Sequence, residues 1–523
     1  MLENNNAHIR EILTQKNIMN YYSQLITEHL INPEHCVKSA ELLISHFLED
    51  VEIKQSRLSF PNELTGEMKE AIIRNYISHN DANPNYFRLI AESQSTTDLP
   101  LQDKTRLEAQ RKYDDHSKTL FTENSGFKYG VQIGFSETQI EEFLVEDSID
   151  HTISIMYSTK WIDENQDYPT LWNNFIYLFE YVDRFFRSTF ISQPAQLGIF
   201  ERYLNIKGKR TYVTGIDFTM KSMMSKLQMV AYFKQLSRLN IKLESMFKWF
   251  FEEYLLDEFN AIGFVFHTPS DGTTDLEKCK LLASEIDSVL QQFALFVDDG
   301  NIDRDLLEIS SKPMKFENIP SFCKEKYVYP NDGICSNCMH LLFSDQSDIT
   351  YTNRIKSKYH DFFSLINSEI MNIEDFSEHQ KYHIEWLHKN SCINIGGNGE
   401  LTLAIEKASI LYDLYNNQVS CISYLDRYRT VLDIMAASNE IRYESSLFSR
   451  PEQSYMSYIL NKSMYSNGYD LRNKYIHSTH SLSPEAHKND YIELLKIMVL
   501  IIIKINEEFC LREKEPGKPE VVE

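Results

Sequence analysis

The stretch Tyr465-Ser-Asn-Gly-Tyr-Asp-Leu-Arg-Asn-Lys-Tyr-Ile-His477 decides how the chain is read. Asn467-Gly468 supplies a turn, and the residues after it open a helix over 470–478. At about 100° per residue, Asn473 and His477 lie about 40° apart on one face, and Arg472 is displaced from His477 by about 140°. One short helix thus offers an imidazole, an amide and a guanidinium to one end of a helical bundle. That set suits RNA cleavage without a metal. An imidazole can exchange the proton of a ribose 2′-OH near neutral pH, and a guanidinium can bind the phosphate and stabilise the charge developing on it.

The segment sits in a region that reads as four or five helices, over 401–415, 422–438, 453–462, 470–478 and 490–509, which predicts a compact bundle. In that setting Leu471-Arg-Asn-Lys-Tyr-Ile-His477, preceded by Asn467-Gly468, resembles the Arg-Asn-x-x-x-His signature of HEPN domains, in particular the Apea-like and abortive-infection groups. The resemblance spans 396–512 of the 523 residues. It departs from the commonest pattern at Ser478, where many of these sequences carry Gly, and His480 is a nearby imidazole of lower rank. The resemblance implies a helical bundle that dimerises to bring two Arg/His motifs into one ribonuclease site. Arg472 would then bind phosphate, Asn473 would be the polar residue that follows it, and His477 would be the catalytic His. It further implies an RNA substrate, often tRNA, cut without a catalytic cofactor, and a toxin-like role in antiphage defence triggered by a phage-derived protein. A non-catalytic HEPN module for dimerisation or sensing is the alternative.

Composition sets bounds on these readings. The chain carries 53 Lys+Arg against 76 Asp+Glu, a net charge of −23, so any RNA contact must use a local basic patch. A hydrophobic fraction of 42% with 30 Tyr and 31 Phe predicts packed cores instead of disorder. The first ten residues lack the apolar stretch of a secretory signal. The longest apolar run, Ile497 to Ile503 between Lys496 and Lys504, is far short of the roughly 20 residues a membrane span needs. A cytoplasmic chain without membrane contact is expected, with its eight cysteines as thiols or metal ligands.

The fold class expected from the whole sequence is mainly α. A helical N-terminal region is expected over 1–120, followed by an α+β domain over 121–320 with β-like stretches at 152–157, 210–214 and 262–266 and helices over 172–186 and 221–254. A Cys/His-containing subdomain over 321–395 follows, with helices over 352–371 and 377–390. The HEPN-like bundle occupies 396–512, and 513–523 form a frayed tail.

Cys335-Ser-Asn-Cys338 follows a turn with Pro330, Asp332 and Gly333, the usual first half of a structural zinc site. His388-x3-Cys392 is the best second half, with Cys323, His340, His379 and His383 competing for the remaining places. A basic stretch, including Lys207, Lys209, Arg210, Lys234 and Arg238 with interleaved aromatics, offers a candidate RNA-contacting face, against the plainer reading of a solvated helix. Other chemistries are excluded. No phosphate loop of the Gly-x4-Gly-Lys-Ser/Thr type exists, and Gly396, Gly397 and Gly399 do not make a dinucleotide fingerprint. His383-x-Glu385-x-x-His388 spaces its two His five apart, where a zinc-protease helix needs four. A zinc deaminase would present His-x-Glu before Pro-Cys-x-x-Cys, and here the order is reversed.

Overall fold

The apolar run that ends the chain's last helical pattern is the axis of the structure around it. In the computed structural model, Pro484–Lys514 is one helix of 31 residues, and every residue from Ile497 to Ile503 is fully buried. A helix apolar on all sides must be enclosed by other elements, and here Asp275–Asp299 and Ile216–Arg238 pack along it. The structure describes residues 8–50, 58–120, 130–147, 152–203, 206–309, 315–352, 354–355, 358–477 and 479–514. Helix accounts for 59% and strand for 8%, so the fold is mainly α. Among the described residues no helix is long and apolar enough to cross a membrane.

The chain divides into two compact units. The first comprises Met1–Gly130, Gly198–Val213 and Ser457–Asp470. Its helices include Cys36–Phe47, Gly66–Ile77 and Pro84–Glu92. Thr65 caps the second by accepting from Met68 N–H at 3.3 Å, and Asn83 caps the third, with Pro84 in its first turn. Leu43, Ile44, Ile73, Tyr76 and Ile90 form its solvent-free centre. The later segments are stitched on by the backbone: Asp50 N–H donates to Lys207 O at 2.7 Å and Lys209 N–H to Leu48 O at 2.9 Å. Tyr212 stacks on Tyr458 at 4.5 Å, and the Asn467 side chain bonds both Tyr212 N–H and Tyr212 O, at 2.9 and 3.0 Å.

The second unit comprises Val131–Leu197, Thr214–Met456 and Leu471–Glu523. Its first sheet places Thr152–Ser158 centrally between Gly130–Ser136 and Phe143–Asp147, with Phe143 opposite Tyr157. A separate core within the unit gathers Ile334–Phe343, Phe362–Ser368, Glu378–Lys389, Ile405–Asn417 and Arg429–Ala437. Its strands are Tyr327–Pro330, flanked by Ser420–Cys421 and Ile441–Glu444, and the hairpin Ile393–Ile395 with Leu401–Leu403.

Several sequence expectations differ from this arrangement. Residues 262–266 form no strand, because side chains of neighbouring helices satisfy their backbone. Val265 N–H donates to Gln292 Oε1 at 2.8 Å, Gln292 Nε2 donates back to Val265 O at 3.0 Å, and Phe266 N–H donates to Glu252 at 3.1 Å. Residues 210–214 are irregular too. The helix expected over 172–186 is Tyr168–Tyr177, followed by Glu180 at φ 50°. That over 221–254 breaks at Asn240, φ 58°. The expected bundle over 396–512 is shared out: Ile405–Asn417 and Arg429–Ala437 join the core of the Cys335 helix, and Ser457–Asp470 belongs to the first unit. Most of the expected tail, from 515 onward, lies outside the described residues.

Candidate functional site

The motif helix is Leu471–Ile476. The turn before it requires glycine, since a Cβ on Gly468 would stand 2.6 Å from the Tyr458 carbonyl oxygen. Leu471 and Tyr475, one turn apart, are the helix's buried face, which sets its rotation. Tyr475 is pinned at its tip. Its hydroxyl donates to Asp490 Oδ2 at 2.9 Å and lies 3.0 Å from His487 Nδ1. Cys279 Sγ donates to the His487 carbonyl at 3.3 Å. Burial drives the Tyr475 hydroxyl well above its ordinary value, with Cys279 and Asp490 adding to it, and burial pushes the Cys279 thiol up to about 12. Both groups are therefore neutral at physiological pH and serve as anchors instead of nucleophiles.

With the helix held so, Arg472 turns to Asp275–Asp299. Its Nε donates to Asp287 Oδ2 at 2.7 Å, and the two side chains are only 17% and 22% exposed. Burial raises the Asp287 carboxyl above its ordinary value, and Arg472 works against that shift. Because Asp287 takes the Nε edge, the plane of the guanidinium is set while its two Nη groups lie outside that pair. One of them, Nη1, is 3.5 Å from Asn473 Oδ1. His477 is exposed at the end of the helix, with its N–H bonded to Asn473 O at 2.9 Å. His480 is held otherwise: its ring stacks on Tyr475 at 5.8 Å and meets His487 edge-on at 5.3 Å. Ser478 lies outside the described residues. Asp287, His487 and Asp490 carry no motif in the sequence. The His487-x-x-Asp490 pair, at helical spacing three, was the available local signal.

The cysteines of the expected zinc site gather, but its histidine does not. Cys335, Cys338 and Cys392 are all fully buried in one core, and Cys392 Sγ lies 3.2 Å from Cys338 Sγ. Burial pushes the Cys335 thiol up to about 12, while the Cys392 contact, reinforced by burial, holds Cys338 far above its ordinary value. His388 is exposed, with Nδ1 facing Ile393 O at 3.1 Å. The reason is helical phase. Ile384 and Leu387 take the buried face of Glu378–Lys389, so His388 follows on the outside, and Cys392 reaches the core only after Ser391 turns the chain at φ 55°. Cys323 is buried outside that core, its carbonyl accepting from Ser445. His340, the other alternative, lines a surface cleft with Asp348, His379 and His383. Among the described residues, those last three are the only group of three or more His, Cys, Asp or Glu whose ligand atoms all lie within 4.8 Å of one another.

The basic stretch is divided between the two units. Lys207, Lys209 and Arg210 belong to the first unit, and Lys234 and Arg238 to the second. Lys209 donates to His46 O at 2.6 Å, Arg210 is occupied by Gln94, Ser463 O and Met464 O, and Arg238 pairs with Asp163. Lys234 is exposed and Lys207 half-buried.

No protein-family model matches the chain, and neither the curated proteins nor the solved structures contain a significant match.

Proposed function

We propose that the chain is a HEPN-type endoribonuclease, cutting RNA, with tRNA as the first substrate to test, by metal-independent attack of the 2′-OH, as a toxin-like effector of antiphage defence. The observation that carries this reading is the motif helix itself: a solvent-exposed His477 on the same short segment as an Arg472 whose guanidinium is oriented by Asp287. In the proposed reaction His477 takes the proton of the 2′-OH and the 2′-oxygen attacks the neighbouring phosphorus. The bond to the 5′-oxygen then breaks as that oxygen takes the proton back from the His477 imidazolium, leaving a cyclic phosphate and a 5′-hydroxyl. Arg472 stabilises the charge on the phosphate oxygens. A second copy of the chain completes the site, as the resemblance to HEPN domains implies.

The test is full-length protein incubated with total tRNA, alongside the toxicity of its expression. His477→Ala should lower cleavage by roughly 10²–10⁴-fold and Arg472→Ala by a similar order, with helix content and oligomeric state unchanged. His480→Ala should do much less. DNA, lacking the 2′-OH, should stay intact. Cleavage that needs added magnesium, or an undiminished rate in His477→Ala, overturns the assignment. One observation favours a second reading: a largely buried Arg472–Asp287 pair also suits a structural arginine in a non-catalytic dimerisation module. Under that reading tRNA survives at any protein concentration and expression is harmless.

A further inference from the structure

Helix Glu378–Lys389 carries His379 and His383 one turn apart, and its start is locked to the short turn Asp348–Thr350. Gln380 forms the lock, its Nε2 donating to Asp348 O at 2.7 Å and to Tyr351 O at 2.6 Å. This places the Asp348 carboxylate between the two imidazoles. Oδ1 is 3.0 Å from His383 Nδ1, and Oδ2 is 3.5 Å from His379 Nε2. Two atoms sharing one tetrahedral zinc at about 2.0–2.2 Å stand roughly 3.4 Å apart, so these spacings match ligands around a common ion. Asp348 Oδ2 is itself shielded from solvent and accepts no hydrogen bond among the described residues, although the side chain as a whole is 38% exposed and His379 Nε2 stands 3.5 Å away. A carboxylate oxygen in that state is costly unless something cationic meets it.

We infer that Asp348, His379 and His383 form a binding site for a divalent transition metal of the zinc class. The three donors make a two-His, one-carboxylate set, the kind that leaves a coordination position open. That position faces a cleft of about 520 Å³, whose other walls include His340, Tyr382 and Trp386. His340, on Ile334–Phe343, lines the same cleft. The site is separate from Cys335, Cys338 and Cys392, whose buried thiols belong to the core beneath. It is also independent of the proposed ribonuclease chemistry, which uses no metal.

Cobalt(II) titration of the metal-stripped full-length chain tests the inference, with zinc competition to measure affinity. The expected spectrum has ligand-field bands without the near-ultraviolet charge-transfer absorption that thiolate ligands produce. His379 is 77% exposed, so His379→Ala spares the fold while removing a ligand, and it should weaken binding at least about tenfold. Asp348→Asn should do the same, and Cys338→Ser should leave binding unchanged. Thermal unfolding with and without zinc gives a second readout, since a metal bound only by the folded state raises the midpoint of the parent chain but not of His379→Ala. Binding that survives both His379→Ala and Asp348→Asn, a thiolate spectrum abolished by Cys338→Ser, or no binding at all would each overturn the site.

Discussion

Replacing Lys504 by Met should unfold the second unit far more readily than the same change at Lys496, although both lysines bound one apolar run and both are fully buried. Lys504 Nζ reaches Glu507 at 3.0 Å, Glu452 at 3.4 Å and the Phe186 carbonyl at 2.9 Å. Lys326 Nζ shares Glu507 at 3.0 Å and holds Glu508 at 2.6 Å. Two cations and three carboxylates thus meet in a dry interior, and removing Lys504 leaves three carboxylates to one cation. Breaking a buried pair in this way costs about 3–5 kcal/mol. Lys496 is different. Burial lowers its pKa despite Glu493 at 3.1 Å, so the fold disfavours its charge, and Glu493 keeps a second cation in Lys226 at 3.6 Å. Lys496→Met should therefore cost below about 1 kcal/mol. All four tryptophans, Trp161, Trp172, Trp249 and Trp386, lie in the second unit, so their fluorescence in urea reports that unit alone. With a slope of about 3 kcal/mol/M, the Lys504→Met midpoint should fall by about 1–2 M and that of Lys496→Met by no more than about 0.3 M.

The pH dependence follows from the same network. Burial would raise the Glu507 carboxyl, but Lys326 and Lys504 outweigh it and hold it below its ordinary value. A depressed carboxyl contributes stability that is present above its unfolded pKa and lost as pH falls through the folded one, so the loss belongs below about pH 4. Burial works against the charge on Lys326 and Lys504, yet their glutamates raise both above the ordinary ammonium range. Their contribution is complete below about pH 10 and is lost only above it. The contribution of this network should be flat between those limits, and in Lys504→Met the acid loss should begin at higher pH. Equal urea shifts for the two lysine variants, or an unchanged acid limb in Lys504→Met, would refute the reasoning.

Three further outcomes are expected. Cys335, Cys338 and Cys392, all fully buried, with the thiols of the first two held above their ordinary range, should resist alkylation in the native chain and react together on unfolding, which mass spectrometry of labelled peptides will read. Tyr475→Phe leaves Asp490 and His487 without their shared hydroxyl, so it should cost about 1–3 kcal/mol in urea unfolding followed by tryptophan fluorescence, and reduce any RNA cleavage with it. Gly468→Ala drives a methyl toward the Tyr458 carbonyl and should destabilise the first unit by about 1–3 kcal/mol, measurable by hydrogen exchange over 457–470.

Local pattern was legible in this sequence, and long-range pairing was not. The motif helix, the central strand at 152–158 and the final helix all follow from spacing and turn residues within a dozen positions. The lysines at 496 and 504 looked like polar ends of an apolar run, because a charge beside apolar residues ordinarily marks a surface. The burial of Lys504 depends on Glu452 and on the acceptor Phe186 O, residues that no periodicity ties to the last helix, whereas Lys496 pairs with Glu493 on the same helix. Arg472 shows the same limit: its motif is contiguous, but the carboxylate that orients it lies 185 residues upstream. The histidine cleft falls between these cases. The spacing of His379 and His383 was visible as a helical pair, while Asp348, 35 residues before His383, becomes a third donor only because Gln380 ties its turn to the start of that helix. In the sequence the natural partners of these histidines are cysteines, whose affinity for metal is the stronger local signal. Packing sent the thiols inward and left the imidazoles with a carboxylate at the surface, so the two kinds of ligand were separated by the same hydrophobic burial that built the core.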